Sequence, residues 1–208
     1  MSLLIELHYL PSIAYFAALD DHDEVVIEKH ENYAKQSYRN RCQIVTSQGL
    51  RDLIVPTLAI HGKVPITEVR IDYSQKWLNN HWRSIQSSYG NAPYFEYYKD
   101  ELHDALYQKQ VFLYDLNLSL LSMCLRWLRK SIRVNESLTY EKSVERKISD
   151  ARSQITVKNK ANAHHFYKPV SYTQVFGSAF VEDVSIIDLI FCVGPDAAGI
   201  VKASSIVK

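Results

Sequence analysis

The chain has 208 residues, 47% of them hydrophobic, which is enough for one sizeable core and predicts a single domain over residues 1–208. Its 24 basic and 23 acidic residues leave a net charge of +1, too small for a global field that would hold nucleic acid or an anionic membrane surface. Three widely spaced cysteines argue against a disulfide framework, and without a leader-like or bilayer-spanning apolar run we expect a cytoplasmic protein.

The N-terminal residues predict a βαβ unit. Residues 3–8 are an apolar strand candidate, and residues 13–19 have the apolar spacing of a short helix. Residues 24–29 contain a continuous β-branched run that is typical of a buried strand. Strand, helix and strand at this spacing favour a right-handed crossover between parallel strands.

A β-hairpin follows. Residues 41–46 and 50–55 have strand-like composition, and Gly49 in the turn between them can take the positive φ that a three-residue hairpin needs. Residues 68–73 are a further strand candidate. We therefore predict an α/β or α+β fold, with the βαβ unit and the hairpin in one mixed sheet that packs against a mainly helical second half.

Helical periodicity dominates the middle of the chain. An apolar stripe predicts a helix over residues 74–89 with Ser74 as its N-cap. Further helices are expected over residues 93–108 and 115–130, and the last should be central because it is apolar nearly all round. Another helix should begin after Ser185.

The segment at about residues 142–165 has a different composition. Between residues 142 and 160, two acids stand against six basic residues, namely Lys142, Arg146, Lys147, Arg152, Lys158 and Lys160. Little apolar periodicity accompanies these charges, so we expect an exposed, mobile segment.

Motifs for common cofactors do not occur. The six glycines are scattered singly, which disfavours both Walker-type and dinucleotide-binding loops. The run 20–23, Asp-Asp-His-Asp, has side chains that can bind a divalent cation, but clustered acids more often mark a solvated turn. We predict no cofactor and no metal.

Two histidines and one cysteine are candidate catalytic groups. His8 follows the first predicted strand, at the carboxyl end where open α/β sheets build their sites. His81 lies beside the apolar stripe of a helix, where a cleft histidine and a hydrogen-bonded interface histidine are equally good interpretations. Nearby arginines favour a Cys42 thiolate, but strand alternation places Cys42 inward, which favours an inert core cysteine.

Residues 29–44 gather many hydrogen-bonding side chains. Tyr33, Lys35, Tyr38, Arg39 and Arg41 can bind a phosphate or carboxylate while tyrosine faces stack on a ring. Taken alone, the segment is also typical of a solvated basic connector between two strands.

Several motifs together resemble the WbqC-like family of bacterial proteins. They are His8-Tyr9-Leu10-Pro11, then Tyr33-x-Lys35-x-x-Tyr38-x-Asn40-Arg41, and near the C-terminus Tyr172-x-Gln174-Val175-Phe176. Many members carry glutamine at or near the position of His8, so the resemblance does not imply a role that requires an imidazole there. It does imply a place in surface polysaccharide biosynthesis of the O-antigen type, and a cytoplasmic enzyme that acts on an activated sugar or transfers an acyl or aminoacyl group to one.

Our leading hypothesis is a transferase-like enzyme, acting on an anionic small molecule such as a nucleotide sugar, with a homodimer as the candidate assembly. The candidate general base is His8 or His81, and the anion is held by Lys35, Arg39 and Arg41. A ring of the substrate is positioned by Tyr9, Tyr33 and Tyr38, and Asn40 orients its polar groups. The residues that close over the site are Arg152 and Lys158. The alternative is a non-catalytic binding or scaffold protein of a polysaccharide-assembly complex. A thiol enzyme that uses Cys42 is a third hypothesis.

Overall fold

The computed structural model describes residues 2–144, 147–158, 160–177 and 179–206. Within them, a parallel four-stranded sheet is formed by β1 (Ser2–Ile5), β2 (Glu24–Ile27), β5 (Arg133–Glu136) and β6 (Ile148–Asp150), in the order β5-β2-β1-β6. The α/β class is thus as predicted. Since all four strands are parallel, their carboxyl ends lie at the same edge of the sheet.

The N-terminal βαβ unit is confirmed. Helix α1 (Ile13–Leu19) connects β1 to β2, which pair in register from Ser2 opposite Glu24 to Ile5 opposite Ile27. Every residue of α1 is buried, as are Leu3 and Ile5 on the adjoining strand. The apolar run therefore forms a helix because it can bury its whole surface in the core.

The hairpin does not join this sheet, which corrects the predicted mixed sheet. Strands β3 (Arg41–Thr46) and β4 (Gly49–Ile54) form a two-stranded antiparallel sheet of their own, and Gly49 has the positive φ (96°) foreseen for its turn. Residues from outside the hairpin contact backbone carbonyls of its two strands. The Ser185 N–H donates to the Gln43 carbonyl (2.8 Å), and the Ile54 carbonyl lies 3.1 Å from His81 Nε2.

Residues 68–73 do not form the predicted strand. A 3₁₀ turn (Ile66–Glu68) precedes isolated bridges from Ile71 to Thr57 and from Arg70 to Phe112, so this stretch pairs with two partners one residue at a time. Ser74 also lies outside the next helix. Its N–H and hydroxyl both donate to the Asp72 carboxylate (2.9 and 2.6 Å), and the helix begins three residues later.

The remaining helices pack against one another around the core. They are α2 (Trp77–Tyr89), α3 (Phe95–Tyr107), α4 (Leu113–Trp127), α5 (Ile186–Val193) and α6 (Ala197–Ser204). Helix α4 is central, as its composition predicted, and Leu116, Asn117 and Leu120 on it have no exposed surface. None of the helices in the described ranges combines the length and apolar character needed to cross a membrane.

The segment at 142–165 is not wholly an exposed connector. Ile148–Asp150 form β6 and pair with β1, with Ser2 opposite Ile148 and Leu4 opposite Asp150. The sequence did not reveal this strand because three residues are too few to show a period. Arg146, one of the six basic residues, lies outside the described residues.

Candidate functional site

Buried polar side chains follow the parallel strands at their common carboxyl edge. Glu6 comes directly after β1, Glu28 after β2 and Ser137 after β5, and these side chains are 1%, 1% and 7% exposed. Arg152 lies just beyond β6 with 10% of its side chain exposed. The carboxyl edge of a parallel sheet is where α/β proteins place ligand sites, so these residues define the candidate site.

Glu6 and Glu31 share one buried arginine. Arg39 donates from Nε and Nη2 to the two carboxylate oxygens of Glu31 (2.7 and 2.5 Å), and its Nη2 lies 3.4 Å from Glu6 Oε1. The Ser153 backbone N–H donates to both Glu6 oxygens (3.1 and 2.9 Å). Burial raises the pKa of Glu6, but the His8 hydrogen bond, the Arg39 charge and the Ser153 N–H together bring it down to about 2. Glu6 is therefore an ionised, firmly held carboxylate.

His8 is oriented by that carboxylate. Its Nε2 lies 3.4 Å from Glu6 Oε1, and its ring packs between Tyr15 and Tyr38, with centroid distances of 4.9 and 5.4 Å. An ionised carboxylate can only accept, so Nε2 carries the proton and Nδ1 keeps a lone pair. Among the described residues, neither His8 Nδ1 nor the Tyr38 hydroxyl has a hydrogen-bond partner. Burial lowers the pKa of His8 against the opposing effect of Glu6, so the imidazole is neutral near pH 7.

A second cluster surrounds Glu28. Its Oε1 accepts from the Ser137 hydroxyl (2.8 Å) and the His30 N–H (2.8 Å), and its Oε2 accepts from Arg152 Nη1 (2.9 Å). Arg152 also binds the Asp150 carboxylate through Nε (2.9 Å) and Nη2 (2.8 Å). The cluster therefore connects the carboxyl ends of β2, β5 and β6 through side-chain hydrogen bonds.

These contacts alter what the predicted cations can do. Arg39 through Nε and Nη2, and Arg152 through Nε, Nη1 and Nη2, donate to carboxylates of the chain, which supports a positioning role for each. Lys35 is exposed and donates to the Ile60 carbonyl (3.4 Å), while Arg41 lies 3.6 Å from Asp52, with its Nε unpartnered in the described structure. Anion binding by these residues remains a prediction.

The other predicted residues are more dispersed. Asn40 donates to the Val55 carbonyl (2.9 Å), so its amide fixes the start of the hairpin. Tyr33 is half-buried, and its pKa is raised by burial. Lys158 is exposed beyond β6, and its proposed closure over the site together with Arg152 stays a prediction.

His81 occupies a different environment from His8. Its Nδ1 lies 3.0 Å from the hydroxyl of the fully buried Tyr9, and its Nε2 lies 3.1 Å from the Ile54 carbonyl. Since a carbonyl can only accept, Nε2 carries the proton and Nδ1 accepts from Tyr9. Burial lowers the pKa of His81 to about 4. Both ring nitrogens are therefore engaged, unlike those of His8.

Cys42 lies in the core, as strand alternation predicted. It is 2% exposed, and burial raises the pKa of its thiol, which disfavours the thiolate that a nucleophile needs. In the part of the chain that the structure describes, no three His, Cys, Asp or Glu side chains are grouped to hold a metal ion.

Sequence reasoning missed the carboxylates of the site. Glu6, Glu28 and Glu31 lie at the ends of the first two strands or just beyond, but none belongs to a recognisable motif. The available signal was an acid in the last residues of each of two predicted parallel strands, Glu6 in residues 3–8 and Glu28 in residues 24–29, since both strand ends meet at one edge of the sheet.

Comparison with known proteins agrees with the resemblance noted in the sequence. The model of the WbqC-like protein family matches residues 7–171, most of the chain. The chain belongs to the WbqC-like family. It is also 33% identical over 141 residues to the uncharacterised protein Rv1507c of Mycobacterium tuberculosis, an alignment that spans 66% of this chain and 60% of the relative. No solved structure matches this WbqC-like protein significantly.

Proposed function

We propose that this WbqC-like protein is a cytoplasmic transferase-like enzyme of bacterial surface polysaccharide biosynthesis. Its substrate is an activated sugar, such as a nucleotide sugar, on which it acts or to which it transfers an acyl or aminoacyl group. Family membership supports the polysaccharide context. The observation that supports catalysis is the buried His8–Glu6 pair at the carboxyl edge of the sheet, in which Nδ1 of the imidazole has no hydrogen-bond partner among the described residues.

The pair has the arrangement of a general base and its orienting carboxylate. Glu6 holds the Nε2–H and stabilises the positive charge that forms when Nδ1 takes a proton. That proton comes from the acceptor hydroxyl or amine as its oxygen or nitrogen bonds to the activated carbon. The donor's leaving group departs with the electrons of the bond that breaks. The lowered pKa of His8 keeps it neutral, which is the form a base requires.

Access to His8 requires movement. The side chain is 1% exposed and Tyr38, which packs on it, is 3% exposed, so a substrate reaches Nδ1 only after covering groups shift. The same burial favours the second candidate function, a non-catalytic scaffold in which the polar cluster only stabilises the fold.

Allele replacement in the native bacterium separates the two functions without knowledge of the substrate. The His8→Leu allele, which removes both ring nitrogens, should abolish the surface polysaccharide on a gel if His8 is a base, whereas a scaffold should keep it. The His103→Leu allele, the same change at a more exposed histidine on α3, is the matched control. Equal protein levels in both strains must be shown, since a buried substitution also affects stability.

A further inference from the structure

A groove between the hairpin and α2 lies apart from the carboxyl edge. Its volume is about 380 Å³, in the range of small-molecule sites. Strand β4 forms one wall through Arg51 and Asp52, and α2 forms the other through Trp77, Asn80 and Ser84. Ile54 and His81 also line the groove, and His81 Nε2 lies 3.1 Å from the Ile54 carbonyl.

The N-terminus of α2 opens into this groove without a cap. Lys76 occupies the N-cap position, and its side chain makes no capping hydrogen bond to the first turn. The first backbone bond of the helix runs from the Asn80 N–H to the Lys76 carbonyl (3.1 Å), and no described residue accepts from the N–H groups of Trp77, Leu78 and Asn79. Three unpaired donors at the positive end of a 13-residue helix favour an anion.

Trp77 supplies a second, independent sign of a ligand. Its side chain is 4% exposed, it lines the groove, and its ring packs between Tyr73 and His81, with centroid distances of 5.8 and 5.0 Å. Its indole Nε1–H nevertheless has no acceptor in the described structure. A buried indole N–H without a partner is costly, and an acceptor bound in the groove would remove that cost.

The exposed basic side chains around the groove have the positive charge that an anionic ligand needs. Arg51 and Lys76 are exposed on its lining. The carboxylate of Asp52 is already compensated, because Arg41 Nη1 lies 3.6 Å away and the Gln43 amide donates to it (3.0 Å). The groove therefore presents two cations and several donors, which suits a tetrahedral oxyanion.

We infer that the groove between β4 and α2 is a binding site for the phosphate groups of a small phosphorylated ligand. Arg51 and Lys76 hold the phosphate charge, while the N–H groups at the start of α2 bind its oxygens. The inference rests on the geometry of this groove and not on the role of His8. His81 connects the groove to Tyr9, the chain neighbour of His8.

Titration of ¹⁵N-labelled protein with pyrophosphate at constant ionic strength tests the site. The backbone amides of Trp77, Leu78 and Asn79 and the Trp77 indole should shift saturably. The indoles of Trp82 and Trp127, the other two tryptophans, should not move. This pattern does not depend on catalysis, so its failure is distinguishable from failure of the proposed function.

Variants on the exposed rim complete the test. Lys76→Ala and Arg51→Ala should each weaken pyrophosphate binding by roughly tenfold, since each removes one charge-assisted contact. Arg83→Ala, which removes an exposed charge of α2 that does not line the groove, should leave affinity unchanged. Absence of a saturable shift at the four groups, or equal affinity in all three variants, would overturn the inference.

Discussion

Replacing Arg39 by methionine tests the buried network that holds His8 in place. The Arg39 side chain is 6% exposed, and the carboxylates of Glu6 and Glu31 are 1% and 10% exposed. Without the guanidinium, both carboxylates lose their positive partner in a poorly hydrated interior, where burial already raises the pKa of Glu31. Breaking a buried ion pair by removing one partner typically costs about 3–5 kcal/mol, so Arg39→Met should lower the free energy of unfolding by that amount.

The measurement is urea-induced unfolding near neutral pH. Arg126→Met is the matched control because Arg126 bonds Glu101 at the surface, where the two side chains are 63% and 47% exposed. An exposed pair contributes about 0–1 kcal/mol. Adding Glu31→Gln to Arg39→Met should recover part of the loss, since one uncompensated charge is removed. A loss in Arg39→Met no larger than that in Arg126→Met would refute the reasoning.

Two further predictions concern groups outside the network. Burial lowers the pKa of His81 from 6.5 to about 4. As the pH falls from 6.5 to 4, the His81 imidazole is therefore protonated in the unfolded chain but not in the folded protein, and the free energy of unfolding decreases. Between about pH 7 and pH 4, the free energy of unfolding measured with urea should therefore decrease by about 3 kcal/mol less in the His81→Gln variant than in the His103→Gln variant. Equal decreases in the two variants would contradict the lowered pKa of His81. Gly194→Ala should cost about 2–4 kcal/mol by thermal unfolding, because its φ is +58° and a Cβ would overlap the ring of Tyr94. Gly199→Ala, with open space around it, should instead stabilise α6 by about 1 kcal/mol, and equal effects would count against the packing argument.

Local sequence patterns predicted those helices, strands and turns that form mainly because of their own residues. The β-branched run before Lys29 identified β2, and Gly49 identified the hairpin turn. Strands β5 and β6 escaped prediction because they are short and partly polar, and they become strands only by pairing with β2 and β1. Their place in the sheet depends on contacts across more than a hundred residues, which no local window contains.

The same distinction applies to the site. The position of His8 after a strand was enough to place it at the carboxyl edge of the sheet, because the carboxyl ends of parallel strands meet there. The role of Arg39 was not predictable. Its partners Glu6 and Glu31 meet it only after the sheet has formed, and a solvated anion-binding arginine has the same local sequence as a buried, ion-paired one.

The ¹⁵N spectrum of the histidine side chains tests the central claim most directly. If Glu6 orients His8 and leaves Nδ1 free, His8 should show a protonated Nε2 and an unprotonated Nδ1, and should stay neutral below the ordinary pKa of 6.5. The Glu6→Gln variant should lose this tautomer preference, since a glutamine side chain can both donate and accept. A His8 in the parent protein that carries its proton on Nδ1, or that titrates at its ordinary pKa, would contradict the account.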